Sequence, residues 1–400
     1  MMKHKSVYLW LIGLLLLTSC QPITVPTPVA TPAKTSIIDN AITAQIDAQI
    51  EALMNEFSIP GVAIGVVKEG ELVYTKGYGV TTLDSNVPVT PQTVFLLSSI
   101  AKTMTSIAIM QLVAQGKIDL DALIIDYLPY FKLADERYST ITIRHLLTHT
   151  AGLPEYDYGE VGKDPQYDDG ALERYVRSLA DMTLLHAPGG QFEYSGIGYD
   201  ILGDIVAKMS GQPFETYIAE QILQPLGMEH STFLLDEVDP ALLISPHIPN
   251  TAGETVINDI FPYDRIHGPD TNLYSTIEDM ARYATAQLNR GELEGIRILA
   301  ATDYEQMWTM YNQTPFPPPD DHYGMGWMLS DYKGHALAGH GGLDVGVNSF
   351  LALFPEEALA VILLTNYSSI ESDDPAAWIM PAFFLRESIL DLVLNESKKQ

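Results

Sequence analysis

Strand-like runs cluster near the two ends of this 400-residue chain, and the stretch between them is mostly helical or loop in character. Residues 62–67 (VAIGVV) and 72–79 (LVYTKGYG) are rich in β-formers and are joined by Lys68-Glu69-Gly70-Glu71, which predicts a hairpin. Residues 336–340, 347–354 and 359–365 predict three more strands, with Pro355-Glu356-Glu357 turning between the last two. A chain divided this way completes one core only by bringing its ends together. Ile38, Ile42, Ile46, Ile50, Leu53 and Phe57 recur at helical spacing, so residues 37–57 predict an amphipathic helix stopped by Pro60-Gly61. Residues 376–394 predict a closing helix, apolar on more than one side and so packed against a sheet. The expectation is an α/β (α+β) fold: an antiparallel sheet of about five strands, covered on one face by the N- and C-terminal helices. Its sheet lobe is 37–97 and 331–400, and a mostly helical lobe, 98–330, is inserted between. Pro315, Pro317, Pro318 and Pro319 mark an irregular loop before the chain rejoins the sheet, and there is no internal repeat.

The first residues belong to a different physical class. Lys3 and Lys5 precede an apolar run over residues 7–17, too short to span a membrane, which needs roughly 20 residues. This predicts a signal peptide over 1–19. Its ending, Leu17-Thr18-Ser19-Cys20, resembles the lipobox of bacterial lipoproteins, which implies lipidation at Cys20 and a lipid-anchored protein facing outside the cytoplasm, in the bacterial cell envelope. Cys20 is the single cysteine, so an internal disulfide or cysteine zinc site is excluded. Residues 20–36, with Pro22, Pro26, Pro28 and Pro32, predict an extended tether. The formal charge is −29, and loss of Lys3 and Lys5 with the signal takes it to −31. Such a surface repels nucleic acid, which is not expected as a partner.

The chemistry begins at Ser99-Ile100-Ala101-Lys102, at the head of an apolar stretch that Gly116 can terminate. On a helix beginning near Ser98, residues 99 and 102 share one face, one turn apart. A serine hydroxyl becomes a nucleophile when a neighbour takes its proton, and a lysine does so when burial or positive charge lowers its pKa. The same four residues also suit an N-cap serine followed by an exposed lysine. A second copy, Ser330-Asp331-Tyr332-Lys333, lies before a Lys-Gly turn and is expected to be a solvated loop.

Further motifs favour the catalytic reading. Residues 141–153 read ITIRHLLTHTAGL, residues 188–203 contain Tyr194-Ser195-Gly196, residues 273–279 read LYSTIED, and His340-Gly341-Gly342 sits in a predicted strand. In this order they resemble the serine β-lactamase and penicillin-binding-protein-like hydrolases, in particular the class C β-lactamase and family VIII esterase branch, over nearly all of 37–400. The resemblance implies an acyl-enzyme on Ser99, proton transfers shared by Lys102 and Tyr194, a supporting His340, and an oxyanion site made by the backbone N–H groups of Ser99 and Leu343. A phenol titrates at about 10 in water, so Tyr194 serves as a base only if cations beside it, Lys102 or a protonated His340, favour its phenolate. Gly196, Gly341 and Gly342 would border the substrate. No cofactor or metal is implied.

Two departures stand out. Gly196 replaces the asparagine common in the family, and His340 replaces its lysine. Both weaken the grip on a peptide-like substrate that carries a carboxylate. The expectation is a serine hydrolase of esterase or relaxed amidohydrolase type. The alternatives are a β-lactamase, a D,D-peptidase or D-aminopeptidase on envelope peptides, and an inactive binding protein of the same fold. Its partner would be a small-molecule ester, amide or D-peptide substrate. His145 and His149 have the spacing of a helical zinc pair, but no Glu follows His145, and they are expected to be packing and supporting residues. The acidic loop 155–169 lacks the spacing of an EF-hand and is expected to be solvated. Asp270 and Asn272 replace small residues usual in relatives and carry no assigned role.

Overall fold

The computed structural model describes residues 38–316, 320–370 and 378–397. The signal, the tether, Cys20, Pro317 to Pro319 and the first residues of the expected closing helix lie outside them. Eight strands form one antiparallel sheet: β1 (Gly61–Lys68), β2 (Glu71–Gly79), β3 (Asn312–Gln313), β4 (His322–Tyr323), β5 (Met328–Tyr332), β6 (His335–Asp344), β7 (Val347–Phe354) and β8 (Leu359–Thr365). Their order is β2-β1-β8-β7-β6-β5-β4-β3, so the two ends of the chain meet at β1 and β8, with Val62 opposite Thr365 and Lys68 opposite Leu359. The five expected strands are present. The three others include the Ser330 segment, which is a strand and not a solvated loop: Ser330 is buried and the chain turns only at Lys333-Gly334. Its polar residues hid it, and β3 and β4 are two residues each, too short to show any period.

Six helices matter for the site: α1 (Asn40–Phe57), α2 (Ala101–Ala114), α3 (Ile143–Leu147), α4 (Gly196–Ser210), α5 (Ile277–Leu288) and α6 (Pro381–Ser397). Helix α1 starts where Asp39 accepts a hydrogen bond from the Ala41 N–H, 2.8 Å. Alternation along the strands builds two cores. Val361 and Leu363 of β8 pack with Ile42, Ile46 and Ile50 of α1 and with Leu385, Ile389 and Leu390 of α6. Ala360, Ile362 and Leu364 point to the other face, where α5 and the helical part of the chain lie. Each of these Val, Leu and Ile side chains contributes about 1.5–3 kcal/mol when fully buried. Helix α2 is buried from Ala101 through Leu112, which makes it the central rod of the helical part.

Candidate active site

The nucleophile turn is suspended between sheet and helices. Phe95 and Leu96 pair with Ser275 and Tyr274, and the Leu97 N–H bonds the Leu273 carbonyl at 2.8 Å. A single 3₁₀ turn, Ser98–Ile100, then leads into α2. Ser98 has φ +49°, a left-handed conformation costly for a residue with a side chain, and the bonds around it hold it there. On the other side lies β6. Its pairing with β5 stops at Gly339, so the following residues have no strand on that side and the Ser99 turn packs against them. Gly342 makes the close approach possible: a Cβ there would sit 2.0 Å from the Leu97 carbonyl oxygen and 2.2 Å from Ser349 Oγ. Ser349 Oγ itself donates to that carbonyl at 2.7 Å. The backbone of Ser99 and the stretch holding Leu343 are thereby brought side by side, the arrangement an oxyanion site requires.

Ser99 is 6% exposed, and Lys102 is fully buried one turn later, its Nζ donating to Ser99 Oγ at 2.9 Å. Burial pulls the Lys102 ammonium down to about 8, against an opposing pull from Glu155, Asp200 and Asp344. Lys102 also lies 4.9 Å from the Tyr194 ring centre. Tyr194 exchanges a hydrogen bond with Ser99, which lowers its pKa, but burial wins and holds the phenol well above its ordinary range. Burial thus works against the phenolate that Tyr194 would need to act as a base.

The 141–153 motif explains how Tyr194 is placed. His149, in a left-handed conformation at φ +54°, accepts the Glu193 N–H on its carbonyl at 2.7 Å and the Ser195 N–H on Nδ1 at 3.1 Å. It therefore pins the chain on both sides of Tyr194, and its ring stacks 4.3 Å from the tyrosine ring. Accepting at Nδ1 leaves the proton of the neutral ring on Nε2, which meets Tyr323 OH at 3.2 Å. Tyr323 OH in turn meets His340 Nε2 at 3.2 Å, and His340 Nδ1 donates to the Gly341 carbonyl at 2.7 Å. Both imidazoles are locked neutral. Burial and the Lys102 charge push His340 down to about 3. The condition that a protonated His340 assist Tyr194 is therefore not met: its ring centre is 6.4 Å from that of Tyr194, and its nitrogens are spent on Tyr323 and Gly341. His145 caps its own helix, Nδ1 accepting the Thr142 N–H at 3.2 Å.

Gly341 has no room for a side chain. A Cβ there would strike Phe383 Cζ at 2.3 Å, on the face of the sheet covered by α6. Gly196 is buried at the start of α4, its N–H donating to both Glu155 carboxylate oxygens at 3.0 Å. The loop expected to be solvated therefore begins inside the site. Glu155 is half-buried, and desolvation raises its pKa against the pull of Lys102.

The residue that sequence reasoning left without a role is the closest partner of Lys102. Asp270, fully buried, forms an ion pair with the Lys102 ammonium and accepts from Tyr156 OH at 2.5 Å. Its segment is held by Thr105 Oγ donating to the Pro269 carbonyl at 2.7 Å, and by Asn272 Nδ2 donating to the Asp264 carbonyl at 2.8 Å. Nearby, His267 Nδ1 and Asp200 Oδ2 pair at 2.8 Å, and Tyr156 stacks on His267 at 4.0 Å. Asp200, His267 and Asp270 offer ligand atoms within 4.8 Å of one another. With Lys102 and Tyr156 on Asp270 and Asp200 on His267, they read as two ion pairs and not as a metal centre. A cavity of about 560 Å³ shares Tyr156 with the site and is lined by Tyr158, Ile248, Ile260 and Val345, with Asp157, Lys163 and Asn258 among its polar groups.

A buried hydroxyl–amine pair beside a phenol, against an open strand of an antiparallel sheet, defines a serine-hydrolase site. The Beta-lactamase family model matches residues 46–380, and the chain belongs to that family, a serine hydrolase of the β-lactamase and penicillin-binding-protein type. It is 31% identical over 324 residues to penicillin-binding protein 4 of Amycolatopsis lactamdurans, covering 79% of this chain and 83% of that protein. Among solved structures, the octameric penicillin-binding protein homologue from Pyrococcus abyssi superposes with a TM-score of 0.76 at 30% identity, covering 88% of this chain and 77% of that one. The D-amino acid amidase from Ochrobactrum anthropi SV3 shares the fold, with a TM-score of 0.74 at 21% identity over 88% of this chain and 99% of that one.

Proposed function

We propose that this protein is an esterase or relaxed amidohydrolase that works through an acyl-enzyme on Ser99. One observation carries the choice within the family: the position expected to attract a substrate carboxylate is His340, a neutral imidazole locked by Tyr323 and Gly341. The cation at the serine, the Lys102 ammonium, is already paired with Asp270, which further disfavours an anionic substrate. In this reading the Lys102 amine takes the Ser99 proton as Oγ attacks the carbonyl. The resulting ammonium passes that proton to the leaving group, with the Tyr194 phenol as relay. Water then attacks the ester, gives its proton to the Lys102 amine, and Ser99 recovers it. Because the free amine is required, kcat/KM rises with pH through about 8, the value burial gives Lys102.

The test compares p-nitrophenyl butyrate with a chromogenic cephalosporin, beside fluorophosphonate labelling of wild type and Ser99→Ala. Faster ester turnover, with label lost in the variant, is expected. Faster cephalosporin turnover refutes the ester preference, and label that persists in Ser99→Ala refutes the acyl-enzyme. The expected attachment at Cys20 belongs to the same proposal: the protein works on the outward side of a bacterial membrane. Cys20→Ser should release it from the membrane fraction, and continued membrane association would count against a lipid anchor.

A further inference from the structure

Two departures from the family pattern lie 74 positions apart in sequence and in contact in space. A Cβ placed on Gly196 would sit 2.2 Å from Asp270 Oδ2, 2.8 Å from Asp270 Cγ and 2.5 Å from Tyr156 Cε1. The volume that a side chain at 196 would take is therefore already filled by the Asp270 carboxylate. That carboxylate also makes the contact with Lys102.

We infer that Asp270 is a positioning residue that stands in for the missing side chain at position 196, seating the Lys102 ammonium and setting the proton affinity of that amine. This rests on the Ser99–Lys102 reading above. The seat is built for the purpose. Gly203 of α4 admits Pro269, whose Cγ would lie 1.9 Å from a Cβ there, and Tyr156 OH anchors the second carboxylate oxygen. An asparagine in this volume would offer Lys102 an uncharged oxygen, whereas Asp270 offers a full negative charge. Four carboxyl groups face Lys102: Asp270 in contact, with Glu155, Asp200 and Asp344 farther off. The remaining titratable groups around it, His149, His340, Tyr194 and Tyr199, are all held neutral by burial. Against its burial, the pull of Asp200 raises the proton affinity of His267.

The experiment compares wild type with Asp270→Asn, Asp270→Gly, Gly196→Asn and the double variant Gly196→Asn/Asp270→Gly. For each, kcat/KM for p-nitrophenyl butyrate and the rate of fluorophosphonate labelling are followed against pH, and thermal midpoints are taken. Removing the charge destabilises the ammonium, so the rise of activity with pH moves to lower pH, by about one to three units for a contact charge. Asp270→Asn and the double variant should both show that shift. Gly196→Asn alone collides with Asp270 and should lower both activity and midpoint. The double variant refills the hole left by Asp270→Gly and should recover at least tenfold in kcat/KM and most of the lost midpoint. An unmoved profile in Asp270→Asn, or a double variant no better than Asp270→Gly in activity and midpoint, overturns the inference. Failure of the underlying reading is distinguishable, since wild type would then carry no label on Ser99. The midpoints would in that case still test the shared volume, with additive midpoints overturning it.

Discussion

Asp344→Asn should stabilise the protein, and should do so only above mildly acidic pH. Asp344 ends β6, one residue past the expected oxyanion donor Leu343. It has no exposed surface; Oδ1 accepts the Val345 N–H at 2.8 Å and Oδ2 has no partner. Burial raises its pKa from 3.8 to about 7. A buried carboxyl of this kind is protonated in the folded state at a pH where the unfolded chain has already ionised it. Folding then takes up a proton, and stability falls as pH rises from about 4 to about 7. Three units at about 1.36 kcal/mol each give a ceiling of about 4 kcal/mol, present in full above pH 7 and absent below pH 4. Asparagine keeps the shape without the charge. Urea unfolding of both proteins at pH 4, 6 and 8 should show near-equal stability at pH 4 and a gap that widens to a few kcal/mol at pH 8. A gap that stays constant with pH, or an Asn variant that is the weaker protein at pH 8, would refute the reasoning. Ester turnover measured alongside shows whether the site draws on the charge it keeps there.

Two further substitutions probe the scaffold. Gly342→Ala should push β6 away from the Leu97 carbonyl and lower kcat on the order of 100-fold, the loss typical of a misplaced oxyanion donor, while circular dichroism stays native; retained kcat would show that the seam tolerates a methyl group. Tyr323→Phe removes the hydroxyl shared by His149 and His340 and should cost about 1–3 kcal/mol in denaturant unfolding; an unchanged midpoint would mean that the two imidazoles do not depend on it.

Much of this was legible in sequence because the signals are local. The Ser99–Lys102 spacing is a one-turn relation, and it survives intact although the serine lies on a 3₁₀ turn just ahead of α2. Alternation and helical period located the five main strands and α1. The resemblance pointed to Tyr194 and His340, but only the fold shows how their proton affinities shift: ordinary values assume water, and both rings are enclosed. The Lys102–Asp270 pair spans 168 positions, a separation on which no periodicity reports. Its trace was the coincidence of a glycine at 196 with an aspartate at 270. Each was visible alone, and the volume they share exists only in three dimensions. Ser330 was missed for the opposite reason, since a polar sequence ran through a buried strand whose Tyr332 reaches the α6 backbone at Glu387, 3.2 Å.

The pairing of β1 with β8 also sets a timetable. On the ribosome the β1–β2 hairpin and the serine turn emerge well before β8, the strand that completes the hairpin's open flank. Through that interval one row of β1 amides and carbonyls lacks its strand partner, a template for self-association. Over the same interval the serine has no β6 beside it. The serine site is therefore complete only once β6 and β8 have joined the sheet.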